Sequence, residues 1–80
     1  MELEILKESI ARILQVYEKE IREESTFAGE LGADSIDLAQ ILQCVEEKLH
    51  IRLKVADLNS NETVADALNL IKEARNEEAL

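Results

Sequence analysis

Proline and tryptophan are absent from this 80-residue chain, and cysteine, methionine, tyrosine, phenylalanine and histidine occur once each. Each shortage excludes something. The single cysteine, Cys44, permits no internal disulfide framework and no cysteine-rich zinc site. Aromatic content is 2 %, only Tyr17 and Phe27, so the core has to be aliphatic. Glycine occurs only at Gly29 and Gly32, which marks one real loop, and the lack of proline leaves helices uninterrupted. Bases are half as numerous as acids, 9 against 18, for a formal net charge of −9. Phosphate backbones need a basic patch, so nucleic acid is excluded as an expected partner, whereas basic protein surfaces would be attracted. The chain opens Met1-Glu2-Leu3-Glu4, with no basic segment and no long apolar run. Neither a signal peptide nor a stable membrane insertion is expected, and the expected location is cytoplasmic.

What is present is helical periodicity. Leu3, Leu6, Ile10, Ile13, Leu14, Tyr17 and Ile21 recur at spacings of three and four, which predicts an amphipathic helix from Leu3 to Ile21. The pattern breaks over Glu24 to Asp34, where Ser25-Thr26 and the two glycines predict a long loop pinned to the core by Phe27 and Leu31. A second helix is predicted from Ser35 to Leu49, with Leu38, Ile41, Leu42, Val45 and Leu49 inward. Asp34 or Ser35 caps it, and Asp37 complements the positive end of its dipole. His50 to Lys54 alternates polar and apolar and has no partner strand nearby, so it is expected as an extended linker. Val55 to Asn59 is expected to make one or two helical turns around Leu58. Thr63 caps a last helix from Val64 to about Ala74, with Val64, Ala67, Leu68 and Ile71 inward, and residues 75–80 are expected to fray. The predicted fold is all-α: a small four-helix bundle, three main helices and one short one, in a single domain over 1–80.

One stretch carries chemistry. Leu31-Gly32-Ala33-Asp34-Ser35-Ile36-Asp37-Leu38 sets a serine at the mouth of an amphipathic helix, just after a glycine-bearing loop. As residues alone, Ser35 is either a helix cap or an exposed hydroxyl available for modification. No histidine base accompanies it: the one histidine, His50, lies at the far end of the same helix, roughly 22 Å along its axis. The serine is therefore read as acted upon, and no catalytic residue and no metal ligand set is assigned. Cys44 has no CxxC partner or neighbouring base and reads as a partly buried helix residue.

With this box, the flanking helix lengths, Phe27…Glu30-Leu31-Gly32-Ala33 before it, and Glu46-Glu47 and Thr63-Val64 after it, the chain resembles acyl carrier proteins and, more broadly, phosphopantetheine-dependent carrier domains. The resemblance implies that Ser35 receives 4′-phosphopantetheine from coenzyme A, through a separate phosphopantetheinyl transferase using magnesium. It implies a monomer that is not an enzyme. Acyl groups ride on the arm as thioesters to acyl-loading and acyl-transfer enzymes of fatty-acid, lipid or polyketide-type biosynthesis. Ile36, Ala39, Gln40 and Gln43 lie on the other faces of the second helix, open to a partner, and Asp34 and Asp37 offer charges to a basic transferase surface; the resemblance adds Glu46 and Glu47 to the expected recognition residues. The apolar interior would be core first and, as in the family, a lining for the acyl chain.

The charge map departs from the family picture. Gln40 stands where such carriers usually have an acid, a proline often found near Lys54 is missing, and Lys48, His50, Arg52 and Lys54 cluster at the end of the second helix. A specialised rather than housekeeping carrier is expected. The alternatives are an aminoacyl or peptidyl carrier, and an unmodified interaction module with the same fold.

Overall fold

A computed structural model describes residues 1–53, 58–59 and 61–79. Three α-helices, α1 (Glu2–Leu14), α2 (Ser35–Leu49) and α3 (Val64–Ala79), make up most of it, with a short 3-10 helix over Glu18–Glu20. The described residues contain no strand, only an isolated antiparallel bridge between Thr26 and Thr63. The all-α expectation holds. The minor helix expected over Val55 to Asn59 lies mostly outside the described residues; Leu58, at its centre, is buried.

The first helix ends seven residues before the predicted Ile21, because Gln15 turns into the left-handed region at φ 57°. No glycine or proline stops the helix there, so the local sequence carries no signal for the break. The bend lets Ile21, 1 % exposed, re-enter the core from a different direction. Tyr17, expected on the apolar stripe, is instead 71 % exposed, with the Lys19 ammonium 5.9 Å from its ring centroid. Leaving the helical path took Tyr17 off the inward face.

α2 matches its predicted bounds. Its buried residues are Leu38, Ile41, Leu42 and Val45, each contributing about 1.5–3 kcal/mol of apolar burial, with Leu49 half-buried. They pack with Leu6 and Ile10 of α1 and with Val64, Ala67, Leu68 and Ile71 of α3. α2 ends at His50, left-handed at φ 55°, whose N–H donates to the Glu46 carbonyl.

Thr63 caps α3 as expected, through a reciprocal pair: Asp66 N–H donates to Thr63 Oγ1 at 3.2 Å, and Thr63 N–H to Asp66 Oδ2 at 3.0 Å. The next two N–H groups, of Val64 and Ala65, donate to the carbonyls of Ser25 and Glu23 at 2.9 Å each. The loop before α2 thus satisfies the start of α3. The last helix runs past the expected Ala74 to Ala79. A long-range ion pair, Arg75 Nη1 to Glu2 Oε2 at 3.1 Å, ties its last turns to the start of α1, a contact that periodicity does not register.

Candidate functional site

The loop from Ile21 to Asp34 decides where α2 begins. Phe27, fully buried, anchors its middle; its N–H donates to the Glu62 carbonyl at 3.1 Å and its carbonyl accepts from Ala33 N–H at 2.7 Å. Leu31, the other expected pin, is half-buried against the core. Gly32 then takes φ +69°, a backbone region that side chains disfavour. Gly29 is required for space instead, since a Cβ there would lie 2.7 Å from Thr26 Oγ1.

Asp34 follows as the N-cap, extended at φ −92° and ψ −176°. Its Oδ1 accepts Asp37 N–H at 2.8 Å, and Asp37 Oδ2 accepts Asp34 N–H at 3.3 Å, closing a capping box. This settles which residue caps. Ser35 occupies the first helical position, is exposed, and its hydroxyl has no hydrogen-bond partner among the described residues. The N–H groups of Ser35 and Ile36 likewise have no acceptor among those residues, as expected for a first helical turn. The hydroxyl therefore stands uncommitted at the positive end of a 15-residue helix, where free N–H groups and the dipole favour an anion. An esterified phosphate fits there, and Ile36 beside it is 67 % exposed.

Ile36, Gln40, Gln43 and Glu47 continue from this mouth as one exposed stripe at helical spacing. Gln40, Gln43 and Glu47 share a shallow groove between α1 and α2 with Arg12, Ile13 and Cys44. Ala39 is half-buried at its edge. Glu46, the remaining expected recognition residue, is turned elsewhere: it is half-buried and its Oε2 accepts Leu53 N–H at 2.7 Å, holding the segment after α2. Lys48 reaches back to Glu8 of α1 at 3.4 Å, His50 and Arg52 are exposed, and Lys54 lies outside the described residues.

Sequence reasoning missed the polar contacts inside the loop. Ser25 is fully buried; its hydroxyl accepts Arg22 N–H at 3.0 Å and donates to Glu30 Oε2. Glu30 Oε1 also accepts Arg22 Nη2 at 2.9 Å. The Ser25 hydroxyl, then the Arg22 guanidinium, hold the Glu30 carboxyl below its usual range. Ser9, also buried, donates to the Ile5 carbonyl at 2.9 Å. Among the described residues no cluster of three or more His, Cys, Asp or Glu side chains is placed to hold a metal ion, and no helix is long and apolar enough to cross a membrane.

A family profile described as "Phosphopantetheine attachment site" matches residues 4–71. Curated relatives named "Acyl carrier protein" match over most of both chains. That of Clostridium perfringens is 43 % identical over 68 residues, 85 % of this chain and 90 % of the relative. That of Treponema pallidum is 40 % identical over 63 residues, 79 % and 81 %. That of Wolinella succinogenes is 34 % identical over 67 residues, 84 % and 88 %. The chain belongs to the acyl carrier protein family, whose members bear a covalent 4′-phosphopantetheine group and serve as carriers for acyl-handling enzymes.

Proposed function

From membership of that family as the premise, we propose that Ser35 is the attachment point of 4′-phosphopantetheine and that residues 1–80 act as one carrier domain in the cytoplasm. The observation that carries this reading is the Asp34–Asp37 capping box, which leaves the adjacent Ser35 hydroxyl uncommitted and exposed. In the transfer, the Ser35 hydroxyl gives its proton to a base of the transferase. Its oxygen bonds to phosphorus as the pyrophosphate link of coenzyme A breaks and the adenosine nucleotide leaves. Once attached, the group supplies a thiol on which acyl groups are held as thioesters. The protein's own residues present the serine, offer N–H groups and a dipole to the phosphodiester, and supply the surface that partners of fatty-acid, lipid or polyketide-type synthesis meet.

The test is an intact-mass measurement of the apo chain after incubation with coenzyme A, magnesium and a phosphopantetheinyl transferase. The expected result is one added group on the parent and none on Ser35→Ala. An unmodified parent would end the carrier reading.

A specific observation narrows the partners. Between the helix mouth and Glu47 the exposed stripe of α2 is uncharged, with Gln40 and Gln43 at its centre, and Lys48 is spent on Glu8. That surface suits a partner reading amides rather than one steering on acids, so this chain serves a narrower set of enzymes than a housekeeping fatty-acid carrier. Elongation of its acyl form by a standard ketoacyl synthase is expected to be slow. A rate equal to that of a housekeeping carrier would refute the narrowing.

A further inference from the structure

The loop before Ser35 is closed by a ring of polar contacts that the attachment reading leaves unused. Ser25, 0 % exposed, is the centre of the ring. Its hydroxyl both accepts the Arg22 N–H and donates to the Glu30 carboxylate, which also holds the Arg22 guanidinium. A buried hydroxyl is costly unless its bonds are made, so alanine would fill this position more cheaply if packing alone mattered. Glu30 adds a further link, its N–H donating to Thr26 Oγ1 at 3.0 Å, and Leu31 N–H donates to the Thr26 carbonyl at 3.0 Å.

These contacts matter for their place in the chain. Residues 25–27 are fixed from the other side, because the Ser25 carbonyl accepts Val64 N–H and Phe27 N–H donates to the Glu62 carbonyl. Glu30 folds the next turn back onto that fixed base. Ala33 N–H then closes on the Phe27 carbonyl, and the chain passes directly into the Asp34 cap and Ser35. Without the Ser25–Glu30 contact, the turn over residues 28–31 keeps the solvent-exposed Arg22–Glu30 pair beside its backbone and threonine links, and the entry path into the cap loosens.

We propose that Ser25 and Glu30 are positioning residues for the modification of Ser35: their contact, buried on the Ser25 side, fixes the path by which the loop delivers Asp34 to the N-cap and so holds the serine in one orientation for the transferase. This rests on Ser35 being the attachment point. Neither residue touches the reacting atoms. Ser25, fully buried, offers no surface to a partner enzyme, and that separates positioning from direct recognition.

The experiment compares the apo parent with Ser25→Ala, Glu30→Ala and the double variant, each at a temperature where circular dichroism shows it folded. Steady-state phosphopantetheinylation gives kcat and KM for the carrier. Small misplacements of a reacting group can cost up to a hundredfold, so a loss of about tenfold in kcat/KM is expected for Ser25→Ala. The double variant should lose less than the product of the two single losses, because both remove the shared Ser25–Glu30 contact. Amide exchange at Ala33 and Asp37, read by NMR on the same samples, should quicken in both single variants. Ser25→Ala modified at the parental rate would overturn the inference while leaving the Ser35 reading intact. So would a slow Glu30→Ala beside a normal Ser25→Ala, which would mean that Glu30 meets the transferase itself. If Ser25→Ala does not fold, Glu30→Ala decides alone: unchanged exchange at Ala33 and Asp37 overturns the inference. An unmodified parent counts against the Ser35 reading, and the exchange data then still report on the loop.

Discussion

Two neighbouring substitutions should separate stability from modification at the mouth of α2. Asp34→Ala removes the acceptor of the 2.8 Å bond from Asp37 N–H and opens the capping box. Loss of such a cap costs about 1 kcal/mol, within a range of about 0.5–2. Unfolding entropy near 2.1 cal/mol/K per residue gives about 0.17 kcal/mol/K for a chain of this length, so the thermal midpoint should fall by about 6 °C. Asp34→Asn keeps an acceptor of equal capping rank and should recover most of that loss. Ser35→Ala removes no hydrogen bond within the described residues, and alanine is the better helix former, so its midpoint should stay within about 3 °C of the apo parent, the equivalent of about 0.5 kcal/mol. Thermal unfolding followed at 222 nm on apo proteins reads the first quantity, and intact mass after the transferase reaction reads the second. The expected pattern is a destabilised Asp34→Ala beside a stable Ser35→Ala that gains no mass. A Ser35→Ala protein as unstable as Asp34→Ala would refute the reasoning, because the serine would then be part of the cap.

The loop glycines and the acid response give two more checks. Gly32→Ala forces a side chain into φ +69° and should cost about 1 kcal/mol in thermal unfolding, although nothing lies within 4 Å of the added carbon; Gly32→Asn should cost less, since asparagine tolerates that region. The Glu30 carboxyl is held low by Ser25 and then Arg22, and that of Glu2 by its own backbone N–H and then Arg75. Both therefore add stability that is fully present above the ordinary value of 4.5 and is lost as pH falls through the depressed folded values. Glu30→Gln should show a smaller fall in thermal midpoint than the parent between about pH 5 and about pH 3, and an equal fall would count against the Ser25–Glu30 contact.

How far the sequence revealed the fold depended on whether the deciding signals were local. α2 was legible to the residue because a cap, an early acid and an unbroken apolar stripe all lie within its own segment. α1 was overextended because its apolar spacing continues through Tyr17 and Ile21 with no glycine or proline to stop it; the break answers to where Ile21 packs, a tertiary fact. α3 was cut short for the opposite reason, its last turns being tied to Glu2, 73 residues away in sequence. At the site, the box and its serine were visible, but Asp34 and Ser35 were equivalent as caps until the backbone placed Asp34 in the extended region. The contact between Ser25 and Glu30 left no trace, since a serine and a glutamate five residues apart in a loop are ordinary until the fold brings them together.

The order of Asp34 and Ser35 at the helix mouth separates two tasks. On the proposed attachment at Ser35, the start of α2 needs both an acceptor for its third N–H and a free hydroxyl, and one side chain cannot supply both. Aspartate at the N-cap and serine one step later divide the tasks. Aspartate and serine rank equally as caps, so exchanging them (Asp34→Ser with Ser35→Asp) should leave the helix capped and the thermal midpoint within about 3 °C of the parent. The hydroxyl would then accept Asp37 N–H and lie one residue before the helix, and the transferase should add nothing. Mass gain on the exchanged variant at a rate near the parent's would show that any serine in this loop suffices, and that freeing the hydroxyl from the cap is not what makes Ser35 reactive.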